Sequence, residues 1–252
     1  RDFERAAKLR NQLYALRELN RQLLFSDREN LDLSRDEALV MLAKLLNLPE
    51  PPRRLECFDI SHTQASDTTA SMVVFINGAT DKSSYRKFKM RAPGNDDFAH
   101  MAEVINRRLS SRNTAKWPQP QLIMVDGGKG QLAAAIAARD ELGYQHIPMI
   151  GLAKRLEKVV MSKGGSSPRF RADLAARTAK AAGGYAKESE GYISVVLPGQ
   201  TPMIKLLQRV RDESHRFAVS YHNVIKTKRS RQSILDEIPT IGPTTKKKLL
   251  RT

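Results

Sequence analysis

Along residues 1–25 the apolar positions Phe3, Ala6, Ala7, Leu9, Leu13, Leu16 and Leu19 or Leu23 recur three and four apart, with Arg, Lys and Glu between them. That period predicts an amphipathic helix. A second helical pattern covers Asp36–Leu46 and stops at Pro49-Glu50-Pro51-Pro52, which predicts a domain boundary. From Arg54 the pattern shortens. Leu55–Ile60 and Ala70–Ile76 are β-favouring runs, Asn77-Gly78 is a hairpin turn, and Ser84–Met90 alternates apolar with basic residues as a half-exposed strand does. Further on, Phe98–Leu109 reads as helix, Leu122–Val125 as a compact strand, Gln131–Leu142 as an Ala-rich helix, and Ile147–Leu152 and Tyr192–Leu197 as strands. Met203–Val219 closes the series as a long basic helix. A three-strand meander followed by alternating helix and strand predicts an α/β fold, a mixed sheet with helices packed on it.

Residues 162–190 break this rhythm with Gly164-Gly165-Ser166-Ser167-Pro168, an Ala- and Lys-rich stretch, and Gly183-Gly184. They read as an exposed insertion with room for one short helix and no chemistry of its own. The expected organisation is a helical segment and linker at 1–48, an α/β domain at 53–225 carrying the insertion, and a small helical element at 232–252.

Composition narrows the function. Lys and Arg number 43 against 27 Asp and Glu, a formal excess of +16. The resulting pI of about 10.1 points to a polyanionic partner, nucleic acid first. No apolar run is long enough for a membrane span, and no lipidation motif is present, so no membrane partner is expected. Cys57 is the single cysteine, which excludes an intramolecular disulfide and a multi-cysteine zinc site and fits a reducing cytosol. Its apolar neighbours predict a buried structural thiol. The start at Arg1, without methionine, suggests a piece of a longer protein.

Three aspartates stand where strand ends or adjoining loops place them: Asp59 in FDISH, Asp126 in VDGGKGQ after the strand LIMV, and Asp97 in PGNDDF before a helix. Carboxylates converging at strand ends bind hard divalent cations through oxygen. A nuclease needs such an ion, because it lowers the pKa of the attacking water and stabilises charge on the leaving oxygen. For Asp97 the competing reading is a helix cap, which either Asp96 or Asp97 would make well. A carboxylate at Asp59, inside an apolar strand, needs a partner or a metal. The run VDGGKGQ is no Walker A loop, since GxxxxGK[ST] is absent. Its glycines suit a tight turn, and Lys129 could contact a phosphate. In QRVRDESHRFAVSYH the helical register puts His215, Val219 and His222 near one face, where His215 could ligate metal or move a proton. Arg209, Arg211 and Arg216 beside it, and Lys226, Lys228 and Arg229 further on, suit phosphate-backbone contact.

FDISH, the PG-x-D-D-F helix start, LIMVDGGKGQL, IPMIGLAK and LLQRVRDESHRFAVSYH occur in the order seen in UvrC proteins, and the chain resembles the C-terminal half of that family. Two flanking stretches extend the resemblance: DFERAAKLRNQL is similar to a UvrB-binding helical motif, and LDEIPTIGPTTKKKLL to a helix-hairpin-helix, here truncated. The resemblance implies an RNase H-like fold and a metal-dependent 5′ incision in damaged double-stranded DNA during nucleotide excision repair, in the bacterial cytoplasm. It carries over Asp59, Asp97, Asp126 and His215 as catalytic residues, with Asp59, Asp126 and His215 as ligands of Mg2+ or Mn2+. No small-molecule cofactor is expected. Phe3, Ala7 and Leu13 are the expected UvrB contacts, and Gly242 belongs to the hairpin that grips DNA phosphate. Thr240 stands where the family usually has glycine, which predicts a weaker grip. With the second hairpin and the N-terminal nuclease domain missing, at most one of the two cuts is expected. The rival readings are a non-catalytic nucleic-acid-binding module and another RNase H-like nuclease, such as a resolvase.

Overall fold

The computed structural model describes residues 33–62, 68–92, 94, 96–153 and 157–236, with side chains described through Val219. The helix expected over 1–25 and the hairpin beyond 236 lie outside the described residues.

The first described helix, α1 (33–46), ends where Asn47 turns into the left-handed region at φ 53° and Leu48 N–H donates back to Ala43 O at 2.9 Å. Its Ala38, Leu42, Leu45 and Leu46 are fully buried in the same apolar cluster as the strands that follow. The proline-rich break therefore bends the chain within one core, where a domain boundary was expected.

Among the described residues nine strands form one sheet: β1 (Arg54–His62), β2 (Thr68–Ile76), β3 (Ala79–Thr80), β4 (Arg86–Lys89), β5 (Leu122–Val125), β6 (Met149–Ala153), β7 (Lys158–Ser162), β8 (Tyr185–Ser189) and β9 (Tyr192–Val196). The order is β3-β2-β1-β5-β6-β7-β9-β8, with β4 also on β2. β1 runs antiparallel to β2 and parallel to β5, and β6 continues the parallel set; β7, β9 and β8 then add on antiparallel. Asn77 and Gly78, at φ 49° and 72°, make the two-residue turn between β2 and β3, as the Asn-Gly pair predicts. β5 reads LIMV because it lies in the middle of the sheet with both faces covered, and all four residues are buried.

The segment 162–190 differs from its reading as an exposed insertion. It carries a helix, α5 (Ala172–Ala181), whose Ala175 and Ala179 are fully buried, and β8, which pairs with β9. The sequence YAKES shows no apolar alternation, since β8 is an edge strand with no face fully in the core. β7 was also not foreseen, because it joins the sheet only through pairing with β6 and β9.

The described residues also form the helices α2 (Asp97–Leu109), the short α3 (Ser111–Thr114), α4 (Lys129–Glu141) and α6 (Pro202–Asp236). α6 outruns its predicted end at Val219, with no Gly or Pro between 203 and 236 to stop it. Alternation along β1 assigns its two faces. Cys57 and Asp59 look toward α6, where Cys57 bonds Ser214. Glu56 looks toward α2. There, wholly buried, it accepts from Arg108 Nε and Nη2 at 2.7 and 2.8 Å and from Arg54 Nε at 3.0 Å. Among the described residues no helix is long and apolar enough to cross a membrane.

Two outcomes follow. Glu56→Ala strands the buried Arg108 guanidinium and should lower stability by about 3–5 kcal/mol, read from urea denaturation. Cys57 is fully buried; burial first, then the negative charges of Asp126 and Asp59, push its thiol up well beyond the usual range. It should resist a disulfide-exchange reagent in the native chain and react at once in denaturant.

Candidate metal centre

The centre begins with strand pairing. β5 lies parallel to β1 with Phe58 opposite Val125, and Asp126 N–H donates to Phe58 O at 3.0 Å, one step beyond the last paired residues. This brings Asp59, where β1 runs on past the end of β5, side by side with Asp126, the first residue after β5. Both side chains are buried, 8% and 1% exposed, against 38% for His215. From α6, His215 reaches both: Nδ1 lies 3.1 Å from Asp59 Oδ2 and Nε2 lies 2.9 Å from Asp126 Oδ2. All three offer ligand atoms within 4.8 Å of one another. Two carboxylates and one imidazole at that spacing are a donor set for a divalent cation of oxygen and nitrogen preference. The ring can donate from both nitrogens only as imidazolium, so metal and proton compete for it.

The floor of the centre is apolar and tight. Cys57 lies beneath the carboxylates, and Ser214, the residue before His215, faces Ser71 of β2 at 3.4 Å. Gly151 of β6 lets the chain after Asp126 pass close, since a Cβ there would come within 2.8 Å of Gly127 O. Gly127 leaves room for the Gln131 side chain. The glycines of VDGGKGQ thus serve close packing as well as the turn.

Lys129, the first residue of α4, donates to Ser189 of β8 at 2.7 Å. It lines a cavity of about 410 Å³ with Gly128, Lys158, Tyr185, Lys187 and Ser189. Tyr185, Lys187 and Ser189 are alternate residues of β8, so one face of the segment expected to be inert walls a basic pocket two residues from Asp126.

Asp97 does not join this trio. Its carboxylate lies 2.5 Å from His62 Nε2 and 3.4 Å from Gln131 Nε2, in a second group with His62 and His100. Asp96 makes the helix cap, accepting from Phe98 and Ala99 N–H at 2.9 and 3.2 Å. The arginines expected on phosphate are largely engaged. Arg211 donates to both carboxylate oxygens of Glu157, at 2.5 and 2.6 Å, and to Asp212, so its guanidinium is engaged in internal ion pairs. Arg216 holds Glu213 through two bonds of 2.6 Å, though it is exposed. Arg209 is half-buried; with Arg35 and Arg216 it lines a separate cavity of about 400 Å³. Lys226, Lys228 and Arg229 fall on α6 beyond the described side chains, as does His222, and Gly242, Phe3, Ala7 and Leu13 lie outside the described residues. Sequence reasoning missed His62, His100, Lys158 and Lys187. The histidine of FDISH was the one available signal, and the two lysines carry none without the strand pairing.

The family model described as the UvrC RNase H endonuclease domain matches residues 43–219. UvrABC system protein C of Gloeobacter violaceus is 44% identical over 93% of this chain and 33% of its own length, and that of Chlorobium phaeobacteroides 42% identical over 84% and 30%. The chain spans about a third of the length of these relatives. Among solved structures, Ciona intestinalis endonuclease V in complex with a DNA containing an inosine aligns over 81% of this chain and 99% of its own, at 14% identity and a TM-score of 0.40. Shared motifs, the mixed sheet and the match over most of the described core agree: the chain belongs to the UvrC RNase H endonuclease domain family.

Proposed function

We propose that the chain is a divalent-metal-dependent endonuclease that makes the 5′ incision in damaged double-stranded DNA, as part of a UvrABC excision-repair system. The observation that carries this reading is His215 bridging Asp59 and Asp126, which follow the last paired residues of two parallel strands. Two buried carboxylates beside an imidazole fit an ion better than a structural role, because nothing in an apolar core requires them together. Asp59, Asp126 and His215 would hold Mg2+ or Mn2+. The ion supplies a water of lowered pKa and charge stabilisation at the leaving oxygen.

The chain's own groups do the rest. Asp59 and Asp126 fix the geometry from backbone braced by the sheet. His215 completes the donor set or takes up a proton, and its place on α6 makes it the adjustable member. Asp97, carried over by the family resemblance, is the fourth residue of the incision machinery, held by His62 and Gln131. Lys129, Lys158 and Lys187, with the N-terminus of α4, offer phosphate contacts beside the centre. Arg216, exposed, can exchange its carboxylate for a DNA phosphate. Lys226, Lys228 and Arg229 are further candidates for phosphate contact, and Gly242 would act within the helix-hairpin-helix that its sequence resembles. UvrB would dock on the segment that resembles its binding motif, through Phe3, Ala7 and Leu13, with cytoplasmic DNA as the setting.

The test is nicking of a lesion-bearing duplex, prenicked and loaded with UvrB, in manganese or EDTA. Asp126→Asn should reduce cutting by on the order of a hundredfold or more while leaving DNA binding within about twofold. Equal cutting by Asp126→Asn and wild type would remove the trio from the reaction. Wild type that binds loaded DNA and does not cut in either ion would favour a silent binding module. Lys187→Ala should weaken DNA binding and reduce the salt dependence of log K by about one contact, read from titrations at several ionic strengths.

A further inference from the structure

A second group of metal-ligating side chains has no member in the trio of Asp59, Asp126 and His215 and shares only Asp97 with the proposed incision machinery. His62 ends β1, and Asp97 and His100 stand three apart in the first turn of α2, on one helix face. Their ligand atoms all lie within 4.8 Å of one another. We propose that His62, Asp97 and His100 form a second divalent-cation site, taking a transition ion such as Zn2+, Co2+ or Mn2+ in preference to Mg2+.

The His100 ring is the independent observation. It is fully buried, and its Nδ1 has no hydrogen-bond partner. Its Nε2 lies 3.1 Å from the Ala92 carbonyl, which can only accept, so Nε2 carries the proton and Nδ1 presents a lone pair. A buried acceptor with nothing to accept from is costly, and a metal ion removes that cost. A backbone carbonyl holding the far nitrogen is the usual support of a metal-binding imidazole. His62 is set up in the same sense. Its Nδ1–H can donate to Thr68 Oγ1 at 3.1 Å, which orients the ring, and its Nε2 meets Asp97 Oδ1 at 2.5 Å through a proton that a divalent ion would displace.

Access and chemistry complete the case. The side chains of His62 and Asp97 are 36% and 42% exposed, so an ion can enter and keep water in its remaining positions. Two imidazoles and one carboxylate suit borderline ions, whereas Mg2+ prefers oxygen throughout. Ligands from β1 and α2 would tie the strand that carries Asp59 to the helix that carries Asp97. The site stands whether or not the incision reading holds.

The test uses the 252-residue chain carrying Asp59→Asn and Asp126→Asn, which disables the incision trio. Calorimetry with Zn2+, and visible absorbance with Co2+, should report one bound ion that millimolar Mg2+ does not displace. Adding His100→Ala should weaken binding at least tenfold, and Thr68→Val, which removes only the hydroxyl behind His62, by roughly 10–100-fold. If His100→Ala loses native circular dichroism, His62→Gln at the exposed position takes its place with the same expectation. No ion bound by the double mutant, or undiminished binding in a folded His100→Ala or His62→Gln variant, overturns the proposal.

Discussion

Parallel pairing between β1 and β5 is the constraint on which the rest of this molecule rests. Residues in register on adjacent parallel strands lie side by side without any loop to position them, and the bond from Asp126 N–H to Phe58 O carries the pairing one step past the end of β5. Asp59 and Asp126 therefore share a floor braced by a nine-stranded sheet. Holding two carboxylates together in an apolar setting opposes folding unless a hydrogen-bonding group or a cation sits between them. His215 provides that from α6, and a metal ion can take over the same role.

The two faces of β1 divide the labour. Toward α6 lie Cys57 and Asp59, where the buried thiol forms an inert base under the carboxylates. Toward α2 lies Glu56, locked between Arg108 and Arg54. That buried ion pair fastens α2 to the same strand, and α2 in turn carries Asp97 and His100. One nine-residue strand thus contributes a core ion pair, one carboxylate of the proposed incision centre and one histidine of the second cation group.

The basic character of the chain is distributed differently from a simple helical stripe. Several arginines of α6 serve internal carboxylates: Arg211 with Glu157 and Arg216 with Glu213. The cationic pocket nearest the centre comes instead from Lys129, Lys158 and Lys187 on one helix start and two strands. A net charge of +16 announces a polyanionic partner, but it says nothing about which cations are left for that partner.

Local period and turn chemistry alone determined most of the elements: the meander with its Asn-Gly turn, the LIMV strand, α2, α4 and the start of α6 were all legible, as was the buried thiol of Cys57. The trio of Asp59, Asp126 and His215 was legible as residues through motif resemblance, since no spacing along the chain relates position 59 to 215. What only the tertiary structure decided were matters of long-range pairing. An edge strand such as YAKES has no buried face to impose alternation, so β8 and its pocket surfaced only once β9 was beside it. Asp96 and Asp97 are equivalent in sequence. One caps the helix and the other meets His62, because the direction in which the chain enters α2 aims adjacent side chains differently. Whether an arginine meets phosphate or a neighbouring carboxylate likewise depends on what folds against it, and Glu157 lies 54 residues from Arg211.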